Sequence, residues 1–375
     1  MRIASFIIGS LFALLIFASI VDAMLISRST RSRLDRAINA IVLTIAEAPL
    51  RWMKKYETRD RWLAGVAPVS MLIQLTIYAV LFIIALGLMV FGTTDLDFWL
   101  SMYQAGSTFT TLGIVEPTNA SSALISFLAA FLGLVVIAVF IGYLLSLYGM
   151  YSDRETVMAR LSSAAGEPAW APEILARAAT LERDPRKGFG TSSWIDWITQ
   201  IRMNTGVNPV LALFRSTSAD RHWVVSMLAV IDTAAMRLSF GSPETLADDI
   251  NAVTQGTVTF GHLNHNPHNS WRIESDLLEI VKDKKPTTLP ASTAGLTEEE
   301  LEHGFNILVK LGIITEKERK QAQIRFVRIR AHYFQDAYHL AHKHHAIRAP
   351  WSGDRKYPQN VIYPDGATSS LDQVK

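Results

Sequence analysis

Asp97-Phe-Trp-Leu-Ser-Met-Tyr-Gln-Ala-Gly-Ser-Thr-Phe-Thr-Thr-Leu-Gly-Ile-Val-Glu-Pro117 is the stretch on which the fold turns. Its first part, Asp97 to Thr108, is amphipathic and rich in aromatics. It reads as a helix of about three turns, and Asp95 or Asp97 can cap its start. Two apolar runs flank the stretch, Val69 to Phe91 and Ala123 to Met150, and neither contains a charged residue. Each is long enough to cross a hydrocarbon core, which takes roughly 20 apolar residues. A further apolar run, Ile3 to Ile26, carries Asp22 as its only charge.

That first run has features of a signal peptide: Arg2 is a basic start, and Val21-Asp22-Ala23 loosely resembles a cleavage site. Its apolar core exceeds the roughly 7–15 residues usual for such a segment, so a retained anchor helix is expected.

Basic residues give the orientation. Arg28, Arg31, Arg33, Arg36, Arg51, Lys54, Lys55, Arg59 and Arg61 all lie between the first two runs, and none follows until Arg154. Short loops rich in Lys and Arg stay in the cytoplasm. The segment from Arg28 to Arg61 and everything from Arg154 onward are therefore expected inside. The stretch from Gly92 to Ser122, with Asp95, Asp97 and Glu116 and no basic residue, is expected outside. Within the basic loop, Ala37 to Pro49 is too short to cross easily and contains Glu47. It reads as a helix at the membrane surface, ended by Pro49, or as one packing on the cytoplasmic part.

The residues after the short aromatic helix, Thr110-Thr111-Leu112-Gly113-Ile114-Val115-Glu116, resemble the potassium-channel superfamily, whose pore loop reads T-V-G-Y-G before an acidic residue. The setting is similar too: a two-helix, one-pore-loop plan like that of bacterial channel-like proteins with helical cytoplasmic tails. The resemblance covers residues 95–165. It implies four loops around an axis, with carbonyl oxygens replacing an ion's hydration shell. By resemblance Thr111, Leu112, Gly113 and Ile114 present oxygens to the ion, and Thr111 adds a hydroxyl. The filter is degenerate. Ile114 stands at the aromatic position, Val115 at the second glycine and Glu116 at the acidic residue. A β-branched residue resists positive φ, so the outer ion sites, and potassium selectivity with them, depart from the family pattern. Gly133 falls where the family places a gating hinge. Gly133 and Gly142 are the hinge candidates, and close helix packing is the other reading of both. A single pore loop per chain implies a homotetramer.

From Tyr151 the chain reads as helices parted by Pro and Gly breaks, without strand alternation. Trp223 to Met236 is the most apolar of them and holds Asp232 between Arg221 and Arg237, which fits a buried core helix better than a fourth span. Thr297-Glu-Glu-Glu300 resembles a capping box, and a long polar helix is expected from Glu316 to His345. Its Arg325, Arg328 and Arg330 face either the domain itself or anionic lipid.

Chemistry is sparse. There is no cysteine, no phosphate loop and no dinucleotide fingerprint. Histidines cluster at His262, His265 and His268, and at His332, His339, His342, His344 and His345. His339 and His342 can share a helix face, but no acidic partner completes a metal site. The second cluster lies where charge can change between about pH 5 and 7.

The expectation is an all-α membrane protein of the plasma (bacterial inner) membrane. An N-terminal anchor helix (1–27) leads to a basic segment with an interfacial helix (28–68). A pore module (69–151, its re-entrant loop 95–118) is followed by a helical cytoplasmic domain (152–345) and a C-terminal tail (346–375). The expected function is a cation-channel subunit. The alternative is a non-conducting membrane sensor or scaffold that keeps the pore-loop fold. Expected partners are a monovalent cation (potassium or sodium), membrane lipids and three further copies. No catalytic residue, metal, cofactor or nucleic-acid partner is expected.

Overall fold

The computed structural model describes residues 2–24, 33–181, 184–185, 191–241 and 245–354. Arg28, Arg31 and the tail beyond Asp354 lie outside these. Among the described residues the fold is all-helical. The chain divides into two compact units, residues up to Trp52 with Gly65–Met150, and Met53–Ala64 with Tyr151 onward.

The first unit holds α1 (Arg2–Met24), α2 (Arg33–Glu47), α4 (Val66–Thr93), α5 (Phe98–Phe109) and the greater part of α6 (Ala120–Ala165); α3 (Tyr56–Ala64) belongs to the second. α1, α4 and α6 are each long and apolar enough to cross a membrane. α1 lies antiparallel on α4. A Cβ on Gly9 would stand 2.6 Å from the Ala85 carbonyl, and one on Gly92 2.7 Å from the Arg2 carbonyl, so two glycines let the backbones approach as small residues do in membranes. Ile16, Ile20, Tyr78, Phe82, Leu86, Ile125 and Ala129 form the core of the unit.

α2 is amphipathic: Ile38, Val42 and Ala46 are buried, while Ile41 and Ile45 are exposed. It packs on α4 and gives way to a 3₁₀ turn, Ala48–Trp52, at the expected Pro49.

The second unit adds α7 (Ala171–Thr180), α8 (Thr191–Val207), α9 (Trp223–Phe240), α10 (Leu246–Leu263), α11 (Ser270–Lys282), α12 (Glu298–Lys310), α13 (Glu316–Arg330) and α14 (Phe334–Lys343). α9 is its axis, buried from Trp223 to Ser239 and packed by α7, α10, α13 and α14. By length and composition α9 could also cross a membrane, but its apolar window is 94% buried inside the fold. Asp232 explains why this is a core helix. Its Oδ1 accepts from Arg330 Nε at 2.9 Å and from the Tyr333 hydroxyl at 2.6 Å. Burial works against the Arg330 charge, yet Asp232 and the nearby tyrosines hold its pKa above the ordinary value. A second buried pair, Arg237 with Asp249, joins α9 to α10.

The long helix expected from Glu316 to His345 is broken. It stops at Arg330 and restarts at Phe334. Arg330, closing α13, and Tyr333, just before α14, both bond Asp232. Ala331–Tyr333 form the turn between the two helices. The basic residues serve the domain itself: Arg330 is fully buried, Arg328 pairs with Asp283, and Arg325 donates to the Asp283 carbonyl. The capping box at Thr297 is present with both reciprocal bonds.

Candidate functional site

Four helix ends meet at one end of the first unit. Arg2, opening α1, pairs with Asp95 and donates to the Thr94 carbonyl at the close of α4. Asn119, before α6, donates to the Thr93 carbonyl at 2.9 Å, and its Oδ1 accepts from Ser122 N at 2.8 Å. Asp97 caps α5, accepting from Leu100 N at 3.1 Å; of the two acidic residues expected to do so, Asp97 is the one used.

From this end α5 runs about 18 Å, at 1.5 Å per residue, and stops against α6 at Gly133. Residues 110–118 then return to Asn119. The chain thus enters and leaves at the same end. One face of α5 is a buried polar stripe at three-residue spacing, Ser101, Gln104 and Ser107. Gln104 Nε2 donates to Ser126 on α6 at 3.3 Å.

Ser107 organises the returning loop. Its carbonyl accepts from Leu112 N at 2.8 Å and from Gly113 N at 3.2 Å. Its hydroxyl accepts from Ile114 N at 2.7 Å. Three successive N–H groups therefore converge on one residue. The backbone angles explain how. Thr111 has φ 62 and Gly113 φ 64, while Leu112 and Ile114 lie outside the positive region. The positive φ at Thr111 and Gly113 lets the successive N–H groups of Leu112, Gly113 and Ile114 turn to Ser107. Among the described residues nothing donates to the carbonyls of Thr110, Thr111, Leu112 or Gly113. Thr110 turns its hydroxyl back to the Gly106 carbonyl at 2.8 Å, whereas Thr111 is exposed.

The positive φ at Thr111 was not legible in the sequence, where only glycines carry that freedom. A β-branched residue there costs about 1–3 kcal/mol and is held by its own N–H bond to the Thr108 carbonyl at 2.9 Å and by the Ser107 bonds that follow it. Val115 has no positive φ, so the alternation ends at Gly113. Glu116 is exposed, as are Leu112 and Ile114 at 68% and 62%. Ser107, Gln104 and Asn119 escaped the sequence reading; the signal was the three-residue polar period on an otherwise apolar helix.

The two hinge candidates differ. Gly133 touches the Phe109 carbonyl so closely that no side chain fits, whereas a Cβ on Gly142 would meet nothing within 4 Å. Close packing is thus the role of Gly133 in this structure.

The histidines of the second unit do not form one site. His268 Nε2 meets Asp336 Oδ2 at 2.6 Å. His332 and His344 are half-buried, and desolvation lowers both pKa values, that of His344 to about 3 with help from Lys343, Arg215, His345 and Arg154. His344 thus does not gain charge between pH 5 and 7. Among the described residues no three potential ligands gather for a metal.

Comparison with family models, with curated proteins and with solved structures returns no match.

Proposed function

We propose that the chain is a subunit of a tetrameric cation channel, with Thr110 to Glu116 as its ion-conducting loop. One observation carries the reading: among the described residues nothing donates to the carbonyls of Thr111, Leu112 and Gly113, while the N–H groups of Leu112, Gly113 and Ile114 are tied to Ser107. Unengaged backbone carbonyls are what replace water around a dehydrated cation. Irregular backbone at membrane depth is tolerated only where protein buries it or water lines it. The exposed Leu112 and Ile114 then favour cover by neighbouring copies, and one loop per chain needs four copies to close a ring. The alternation ends at Gly113, so the oxygen row is short and selection between potassium and sodium is expected to be weak.

Ion flux in liposomes reconstituted with the purified protein tests this. Cation flux that discriminates little between potassium and sodium, from a species that crosslinks to four copies, is the expected result. No flux from such tetramers would make the protein a sensor or scaffold instead. A stable monomer at every concentration would remove the central filter altogether.

A further inference from the structure

α2 is buried along one line only. Ile38, Val42 and Ala46 turn inward, and Leu50 follows them in the 3₁₀ turn. On the helical wheel Ile41 and Ile45 stand about 60–100° to one side of Val42. They are 59% and 66% exposed. Arg33, Ala40, Thr44 and Glu47 stand about 140–180° from Val42. The helix thus has a packed line, an apolar shoulder and a polar back. A helix lying along a bilayer surface has these zones, with the shoulder in the acyl boundary and the back toward water.

Its depth follows from α1, whose contacts with α4 run antiparallel: Arg2 by Gly92, Gly9 by Ala85 and Ser19 by Tyr78. Met24 therefore ends near the start of α4. α2 begins at Arg33 and packs on α4. It lies at the end of the unit away from Arg2 and Asp95, where the spanning helices leave the hydrocarbon.

Charge names the lipid. Trp52 is 76% exposed, and the Arg51 guanidinium stands 5.8 Å from its ring centroid. Exposed Trp and Arg side chains settle at headgroup depth. Arg51 donates its Nε to the Ala48 carbonyl at 3.2 Å and forms no salt bridge among the described residues. In sequence, residues 28–61 hold nine Lys and Arg against Asp35, Glu47, Glu57 and Asp60, whereas residues 92–122 carry acidic charges only. An acidic leaflet attracts a basic juxtamembrane segment, while a second copy of the same basic segment repels it.

We infer that α2 and its 3₁₀ turn form a docking surface for anionic phospholipid, with Ile41 and Ile45 in the acyl boundary and Arg51 and Trp52 at the headgroups. The surface is the same whether or not ions pass through the protein.

The chain has no cysteine, so single-cysteine variants of the full-length protein test this. Ile41→Cys, Ile45→Cys and Thr44→Cys, all at exposed positions, carry a bimane label in nanodiscs that mix phosphatidylcholine with phosphatidylglycerol. Labels at 41 and 45 should be quenched by a nitroxide on the lipid acyl chain and not by iodide in water, and the label at 44 the reverse. At equal mole fraction, nitroxide-bearing phosphatidylglycerol should quench the label at 45 about threefold more than nitroxide-bearing phosphatidylcholine, because basic residues enrich acidic lipid. That preference should shrink in 1 M salt and with Arg51→Gln. Unchanged melting certifies the folds. Iodide quenching at 41 and 45 would put the shoulder in water. Protection from both quenchers, or a disulfide-linked dimer of Ile45→Cys, would mean that protein covers it. Equal quenching by the two lipids would remove the selection for acidic headgroups. Each of these results overturns the proposal.

Discussion

The α-carbon of Gly133, midway along the apolar part of α6, abuts the carbonyl oxygen of Phe109, the last residue of α5. A methyl group at position 133 must displace the end of α5, and with it the loop that Ser107 holds three residues on. Gly133→Ala should therefore destabilise the first unit by about 1–3 kcal/mol, the usual cost of overpacking. Gly142→Ala meets no neighbour and should gain up to about 1 kcal/mol from helix propensity. Thermal unfolding of the two purified variants separates these outcomes. Equal melting temperatures would mean that α5 does not rest on Gly133.

In the second unit the Asp232–Arg330–Tyr333 triad predicts a large asymmetry. Asp232→Ala leaves the fully buried Arg330 guanidinium without its carboxylate, and such a loss costs about 3–5 kcal/mol. Tyr333→Phe removes one hydrogen bond to the same oxygen and should cost about 1–2 kcal/mol. Denaturant midpoints read from tryptophan fluorescence will rank them. A Tyr333→Phe penalty equal to that of Asp232→Ala would show that the ion pair does not anchor α13 to α9.

His344 gives the second unit a pH dependence of defined sign. Its folded pKa, about 3, lies below the roughly 6.5 of an exposed imidazole. Between these values the unfolded chain binds a proton that the folded chain does not. The contribution is thus complete above about pH 6.5 and is lost as pH falls toward 3. From pH 7 to pH 5 the denaturation midpoint should drop further in the wild type than in His344→Gln. Parallel declines would show that His344 takes up its proton as readily in the folded chain as in the unfolded one.

How much of this was legible beforehand follows from which signals are local. The apolar runs, the Asp97 cap, the Thr297 capping box and the core character of α9 each rest on composition or spacing within one element, and the structure has them. The break at Ala331–Tyr333 falls where there is neither Pro nor Gly, and no local pattern reports it. The site shows the same divide. Thr111 and Gly113 stand out as a motif, but the conformation of Thr111 is set by bonds to Ser107, a residue that reads as one more small polar position on a helix. Gly133 was ambiguous for a related reason, since a glycine in a membrane helix looks alike whether it bends or packs.

The loop itself carries the last prediction, which presupposes conduction. If ions pass along the carbonyls of Thr111 to Gly113, the alternation of φ is the critical feature. Gly113→Ala places a side chain at φ 64, a region that L residues resist, and should abolish current. Ser107→Ala removes the acceptor for Ile114 N while keeping the carbonyl that holds Leu112 and Gly113. It should weaken selectivity while leaving a current, and Ser107→Thr, which restores a hydroxyl, should recover it. Val115→Gly, alone or with Ile114→Tyr, permits the alternation to continue one step outward and should raise preference for potassium over sodium. Reversal potentials under mixed gradients measure all of these. Unchanged currents in Gly113→Ala would show that ions do not follow this segment. Strong potassium selectivity in the wild type would show that the short row of oxygens is enough without a second glycine.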